Sequence, residues 1–156
     1  MERSGVVIRK GTPEDSFALA VLRFRDVGRD PDAMKSEVVE LSSAMARWMR
    51  DHENTTLCVV AVTDQEIVGM AWLAIVDRVP VIGNHDRRSG DIQSVFVLPE
   101  YRRRNIGRLL LNRLTDKAEQ LGLSRVSLHS SDSALPFYSS VGFGPSPNLL
   151  QRTADD

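Results

Sequence analysis

The run from Ile92 to Ser130 constrains the fold of this chain more than any other segment. Ile92 to Val97 reads as a strand, and Pro99 ends it. A helical periodicity follows from about Asn105 to Leu121, with Ile106, Leu110, Leu114, Ala118 and Leu121 on the side to be buried. Gly122 stands where a glycine often stops a helix, and Arg125 to Ser130 is strand-like again. A strand, a helix and a second strand at this separation predict a right-handed parallel crossover. The chain is therefore expected to hold at least one parallel strand pair covered by a helix.

The rest of the pattern fits around that unit. Val6 to Arg9 is a short strand, and Thr12-Pro13-Glu14-Asp15 is a helix start, with Thr12 as cap, Pro13 in the first helical position and carboxylates in the first turn. Phe17, Ala20, Val21 and Phe24 share one face of that helix, and Gly28 to Asp32 breaks it. Met34, Val38, Leu41, Met45, Trp48 and Met49 recur at steps of three and four, which predicts a second amphipathic helix to about Asp51. Leu57 to Val62 and Ile67 to Val76 are strands joined by a tight turn at Thr63-Asp64-Gln65-Glu66. Val79 to Gly90 reads as a loop, Ser133 to Ser140 as a short helix, and Phe143 as the start of a final turn or strand. The element order is β, α, α, β-hairpin, β, α, β, α, a mixed-sheet α/β domain. At 156 residues, 42% of them hydrophobic, the chain is expected to be one domain over 1–156, with 151–156 as a frayed tail.

Composition narrows the function classes. The single cysteine, Cys58, cannot form an internal disulfide or a multi-cysteine zinc site, and no metal is implied. No apolar run approaches the ~20 residues needed to cross a bilayer. Met1 to Lys10 lack the basic start and apolar centre of a signal peptide, so a cytoplasmic location is the expectation. A net charge of -1 and 6% aromatic residues argue against nucleic-acid binding. The charge is uneven, however. From Pro99 to Arg125 there are seven basic residues against three acidic, whereas Gly11 to Thr56 carries nine acidic against six basic.

The cationic density falls where a strand exits into a helix: Val97-Leu98-Pro99-Glu100-Tyr101-Arg102-Arg103-Arg104-Asn105-Ile106-Gly107-Arg108. The first N–H groups of a helix have no internal acceptor, and the helix dipole makes that end positive, so it binds phosphate readily. Gly107 would let an anion approach the backbone, and Asn105 is a residue type that tolerates positive φ. The arginines add attraction for a polyanion. Neither a Gly-Lys-Ser/Thr phosphate loop nor a Gly-x-Gly-x-x-Gly fingerprint is present.

This run resembles the pyrophosphate loop of the GNAT superfamily of N-acetyltransferases, [Gln/Arg]-x-x-Gly-x-[Gly/Ala]. Arg102 occupies the first position and Gly107 the last, and Asn105 replaces the usual glycine. The preceding Val97-x-Pro99-x-Tyr101-Arg102 is similar to the family's strand exit. Ala134-Leu135-Pro136-Phe137-Tyr138-Ser139-Ser140-Val141-Gly142-Phe143 is similar to its Ala-x-x-x-Tyr-x-x-x-Gly-Phe ending. The likeness is strongest from about Leu57 to Phe143.

The resemblance implies a central mixed sheet flanked by helices, with a splayed parallel strand pair, and acetyl-CoA as cosubstrate. Backbone groups of Val95, Phe96 and Val97 would meet the acetyl-pantetheine arm, with an N–H near Val95 polarising the thioester carbonyl. The amides of Arg103, Arg104, Asn105, Ile106, Gly107 and Arg108, with Arg102 ahead of them, would hold the pyrophosphate. Tyr138 is the implied general acid at the sulfur, and Asp91 the nearest candidate for the base, with Ser94 as a water-holder. Ser131 stands where many relatives carry asparagine and would hydrogen-bond the pantetheine. Helices of the first half often wall the acceptor site in this family, which would give Trp48, Met45 and Met49 a second use, and a homodimer is possible. His129, on an expected central strand, reads as a core histidine, and Cys58 as a small core hydrophobe. The function expected is transfer of an acetyl group to a primary amine by direct attack. The acceptor is a small molecule first, a peptide amine second. The competing reading is a non-catalytic acyl-CoA-binding or sensing module on the same fold.

Overall fold

The central hairpin is set by two residues. Asp64 and Gln65 have φ of 50° and 65°, and Thr63 pairs with Glu66 across them. Two successive left-handed residues give the turn whose twist matches that of paired strands. In the computed structural model, which describes residues 5–154, this turn joins β2 (Thr56–Thr63) to β3 (Glu66–Asp77). The first four residues of the expected polar start and the last two of the expected tail lie outside the described residues. The sheet has five strands in the order β1-β2-β3-β4-β5, with β1 at Val7–Lys10, β4 at Arg88–Val97 and β5 at Val126–Leu128. The first four pair antiparallel and β4 pairs with β5 in parallel, as the crossover predicted.

Both faces of the sheet are covered, which is why β2 and β3 read as continuous apolar runs rather than alternating ones. On one face α3 (Ile106–Gln120) lays Ile106, Leu110, Leu111 and Leu114 against Val59, Ala61, Val68, Ala71 and Leu73. Each such buried side chain contributes about 1.5–3 kcal/mol of apolar burial, so Leu110→Ala is expected to cost ~2–5 kcal/mol. Gly122, at φ 71°, ends this helix as expected. On the other face Leu19 and Leu22 of α1 (Ser16–Asp26) cover Cys58, Val60, Met70, Trp72 and Phe96.

The first helix differs from expectation. Phe17 is 57% exposed, while Leu19 and Leu22 are buried alongside Ala20 and Phe24. The reason is that α1 packs on two partners. Leu19 and Leu22 meet the sheet, and Ala20 and Phe24 meet Val38 of α2 (Lys35–Asp51), so the buried arc is wider and rotated away from Phe17. Helix α2 buries Val38 and leaves Met45 and Met49 partly covered and Trp48 exposed, so the space beneath it is incompletely filled.

The expected loop from Val79 to Gly90 is shorter, because β4 already begins at Arg88. Strand β5 is shorter than expected, three residues where Arg125 to Ser130 was predicted. The short helix resolves into a 3-10 turn, Asp132–Ala134, and α4, Leu135–Ser140. Beyond Phe143 the described residues form turns and irregular chain, and residues 151–154 are exposed. No helix among the described residues is long and apolar enough to cross a membrane.

Candidate active site

The parallel pair opens because β4 carries a bulge. Trp72 faces Ser94 and Leu73 faces Ile92, so Gln93 is an extra residue with no opposite number. The extra residue resets the alternation: Ile92 packs in the same cluster as Val95 and Val97, although their offsets of three and five positions would put them on opposite faces of a regular strand. Pairing with β5 stops at Ile92 and Leu128. The space that follows is a cleft of about 440 Å³ lined by Asp91, Gln93, Ser94, Val95, His129 and Tyr138, among others.

At the outer end of β4 the chain makes a 3-10 turn, Pro99–Tyr101, and then enters α3. Asn105 is left-handed at φ 67°, as its residue type allowed. Its side chain makes no capping hydrogen bond, and the first turn of α3 holds no carboxylate. The main-chain ladder begins with the Leu109 N–H donating to Asn105 O at 3.1 Å. The amides of Ile106, Gly107 and Arg108 are those that a helix leaves without internal acceptors. Arg103 is also left-handed, at φ 61°, a feature the sequence did not announce in an unbranched cationic residue.

The arginines divide by task. The Arg102 Nε–H donates to Val97 O at 3.0 Å, and its guanidinium lies 5.6 Å from the Phe96 ring centre. Arg108 donates to the Ser140 carbonyl and hydroxyl at 3.3 and 3.2 Å, tying α3 to α4. Arg102 and Arg108 thus brace the strand exit and the helix, while the exposed Arg103 and Arg104 carry the charge presented to solvent. Arg104 stacks over Tyr101 at 5.2 Å. Gly107 has a packing reason as well as an electrostatic one. A Cβ there would sit 3.1 Å from Cζ of Phe137.

That same α4 delivers Tyr138 to the cleft. Its ring packs between Phe137 and Phe143, with centroids 5.3 and 6.0 Å away. Burial pushes its phenol above the ordinary tyrosine range, and the carboxylate of Asp26 pushes it further, so the group is a protonated donor at neutral pH. Asp91 lies in the cleft opposite Ser127 and accepts a hydrogen bond from Gln93 Nε2 at 3.2 Å.

Other expected site residues are placed differently. Val95 borders the cleft, whereas the Phe96 side chain is buried toward α1 and that of Val97 packs toward α3. Ser131 is exposed ahead of α4, 3.3 Å from the Ser133 hydroxyl, and is not among the residues lining the cleft. His129 is exposed at the cleft edge rather than held in the core, because β5 ends one residue before it. Cys58 is a buried core residue, and burial drives its thiol pKa sharply up.

Sequence reasoning missed Arg23 and Asp26 at the end of α1. Arg23 Nη1 donates to the Ser94 hydroxyl at 3.1 Å and lies 3.7 Å from Asp26 Oδ2. The i,i+3 spacing of the two charges was the one local hint. A smaller cavity of about 180 Å³ lies beside Ser94, between Arg23, Met45, Trp48, Trp72 and Gln93.

Three likenesses bear on this geometry. A glucosamine 6-phosphate N-acetyltransferase of Trypanosoma brucei brucei is 38% identical over 77 residues, a stretch covering 49% of this chain and 50% of that protein, so the match spans about half of the curated relative's length. An acetyltransferase structure from Trypanosoma brucei superposes with a TM-score of 0.76 at 26% identity, over 96% of this chain and 100% of the other. A structure from Clostridium acetobutylicum, described as a predicted acetyltransferase and solved with acetyl-CoA, shares the fold at a TM-score of 0.75 and 22% identity, over 96% of each chain. Residues 23–143 match the Acetyltransferase (GNAT) family, a span running from Arg23 through the bulged strand and the open helix start to Phe143. The chain belongs to the GNAT acetyltransferase family.

Proposed function

We propose that this protein is an acetyl-CoA-dependent N-acetyltransferase that acetylates a primary amine on a small molecule by direct attack in a ternary complex. The observation that carries the reading is the meeting of two features. An uncapped, cation-flanked helix start lies at one end of β4, and the cleft holding Tyr138 and Asp91 opens along the same strand. The name of the half-length relative, a glucosamine 6-phosphate N-acetyltransferase, supports a small-molecule amine.

The residues present fit the cosubstrate's chemistry: amides free for a diphosphate, exposed cations at Arg103 and Arg104, and a half-open sheet edge for an extended arm. Acetyl-CoA supplies an acetyl thioester. The amides of Ile106 to Arg108 hold its diphosphate, and the main chain at Val95 to Val97 orients the arm. The incoming amine is mostly protonated at neutral pH and must lose a proton before its lone pair can attack. Asp91, with Ser94 holding a water, accepts that proton. As the new C–N bond forms and the C–S bond breaks, Tyr138 would give its phenolic proton to the departing sulfur, and the second proton shed by the nitrogen would restore the phenol. The raised phenol pKa keeps this proton in place through neutral and mildly alkaline pH. Cys58, buried and held as a thiol, is unsuited to carry the acetyl group, which favours direct transfer.

Calorimetry with coenzyme A and a thiol-release assay on an amine panel test the reading. Saturable binding with acetyl-CoA-dependent thiol release is expected, and Tyr138→Phe should lower kcat roughly 100-fold with coenzyme affinity retained. Absence of coenzyme binding overturns the proposal. Binding without turnover on any amine would point instead to a non-catalytic acyl-CoA sensor.

A further inference from the structure

The bulge at Gln93 places Ser94 on the border of two spaces. Ser94 lines the cleft that holds Tyr138 and Asp91, and it also lines the smaller cavity walled by Met45, Trp48 and Trp72. Gln93 also lines both, so whatever occupies the small cavity meets the cleft at Gln93 and Ser94. At that junction Ser94 Oγ accepts from Arg23 at 3.1 Å and lies 3.5 Å from Asp26 Oδ2. The guanidinium of Arg23 is engaged with Ser94 and, at a loose 3.7 Å, with Asp26. A pair at that distance leaves much of the carboxylate's capacity for hydrogen bonding unused. With 31% of its side chain exposed, Asp26 can still meet a ligand. The walls are aromatic and sulfur-bearing: Trp48 and Trp72 pack edge to face at 6.1 Å, with Met45 beside them. Indole faces and a thioether accommodate apolar groups, and indole faces also attract cations.

Resting on the acetyl-transfer reading above, we infer that Asp26, braced by Arg23 and Ser94, receives the ammonium of the acceptor. The acceptor is then a primary amine with an apolar or aromatic body that lies against Met45, Trp48 and Trp72. Arg23 does not select an anionic acceptor, because its own contacts are to Ser94 and Asp26. The ammonium held at Asp26, beside Ser94, faces the cleft, where Asp91 takes the proton and Tyr138 serves the leaving sulfur. The cluster was beyond the reach of local pattern, since Arg23 and Asp26 join Ser94 across 71 and 68 residues of chain.

The chain's two tryptophans are Trp48 and Trp72, so intrinsic fluorescence reports on this cavity directly. Titration of the intact protein with 2-phenylethylamine should shift that fluorescence saturably, and glucosamine 6-phosphate should not. Asp26→Asn should weaken the phenylethylamine titration at least tenfold while coenzyme A binding by calorimetry is unchanged, and Asp26→Glu should recover part of the loss. Asp91→Asn should leave amine affinity alone and lower thiol release. No fluorescence response to phenylethylamine, or equal affinity in Asp26→Asn, overturns the inference. The two readings fail separately. Saturable amine binding without thiol release would sink acetyl transfer and leave the amine subsite. Thiol release from glucosamine 6-phosphate with silent tryptophans would do the reverse.

Discussion

Helices α1 and α3 begin in opposite ways. A 3-10 turn, Pro13–Asp15, runs directly into α1, and the chain closes the start of that turn itself. Asp15 Oδ2 accepts from the Thr12 N–H at 2.8 Å and from its hydroxyl at 3.3 Å, and Pro13 has no N–H to satisfy. Arg9 then grips both oxygens of Asp15 at 2.8 and 2.9 Å. Ahead of α3 the corresponding features are reversed. The cap residue is left-handed, its side chain does not cap, no carboxylate enters the first turn, and Arg108 stands three residues on, where the α1 turn has Asp15 after Thr12. Both ends obey the same rule, that the first amides of a helix need acceptors and its positive pole favours an anion. One end takes its anion from within the chain. The other is open to an anion from outside, and on the acetyl-transfer reading that difference separates a structural helix start from a ligand-binding one.

Making α3 resemble α1 should have the largest effect. Arg108→Glu installs a carboxylate at the position that closes the earlier turn and removes the tie to Ser140. Coenzyme A affinity is expected to fall roughly 100-fold, while the melting temperature changes little. Unchanged affinity in calorimetry would mean that the diphosphate is held elsewhere.

The converse change should act on stability alone. Asp15→Ala opens the α1 start and strands Arg9, at a cost of about 1–2 kcal/mol in urea unfolding, with coenzyme affinity intact. The effect depends on pH with a definite sign. The Arg9 guanidinium holds the Asp15 carboxyl below the usual carboxylate range, and the Thr12 main-chain N–H adds to this. Asp15 therefore stabilises the fold fully above the unfolded carboxylate pKa, near 4, and the contribution fades as pH falls through the lower folded value. Asp15→Asn should flatten that part of the acid-side stability curve. A mutant curve parallel to that of the wild type below pH 4 would show that the pair contributes nothing.

The smallest effect is expected at Asn105. Asn105→Gly removes a side chain that makes no capping bond and keeps the left-handed backbone, so stability should shift by only a few tenths of a kcal/mol and coenzyme affinity should hold. A large loss of either would mean that the amide side chain itself contacts the ligand.

How much of this was legible follows from how local each feature is. Asn105, Gly107 and Arg108 lie within one turn, and Tyr138 sits in a short run with Phe137 and Phe143, so pattern alone pointed to both halves of the site. The bulge at Gln93 was not legible. One extra residue in a strand leaves no mark in composition, yet it decides that Ser94 turns toward Arg23 and Asp26. Phe17 was misplaced for a related reason. Periodicity predicts that a helix has one buried face, but the position of that face depends on what packs there, and α1 packs on α2 as well as on the sheet.

The sequence by itself determined the order of elements, the parallel crossover, the left-handed entry to α3 and the family, because each follows from neighbours along the chain or from short contiguous motifs. Only the tertiary structure decided that Arg102 and Arg108 brace while Arg103 and Arg104 face solvent, that Gly107 lies under Phe137, and that the Asp26 carboxylate of α1 comes within 3.5 Å of Ser94. Those outcomes depend on distances between residues far apart in the chain, which are fixed when apolar faces are buried against one another and a bulge resets which side chains face which layer.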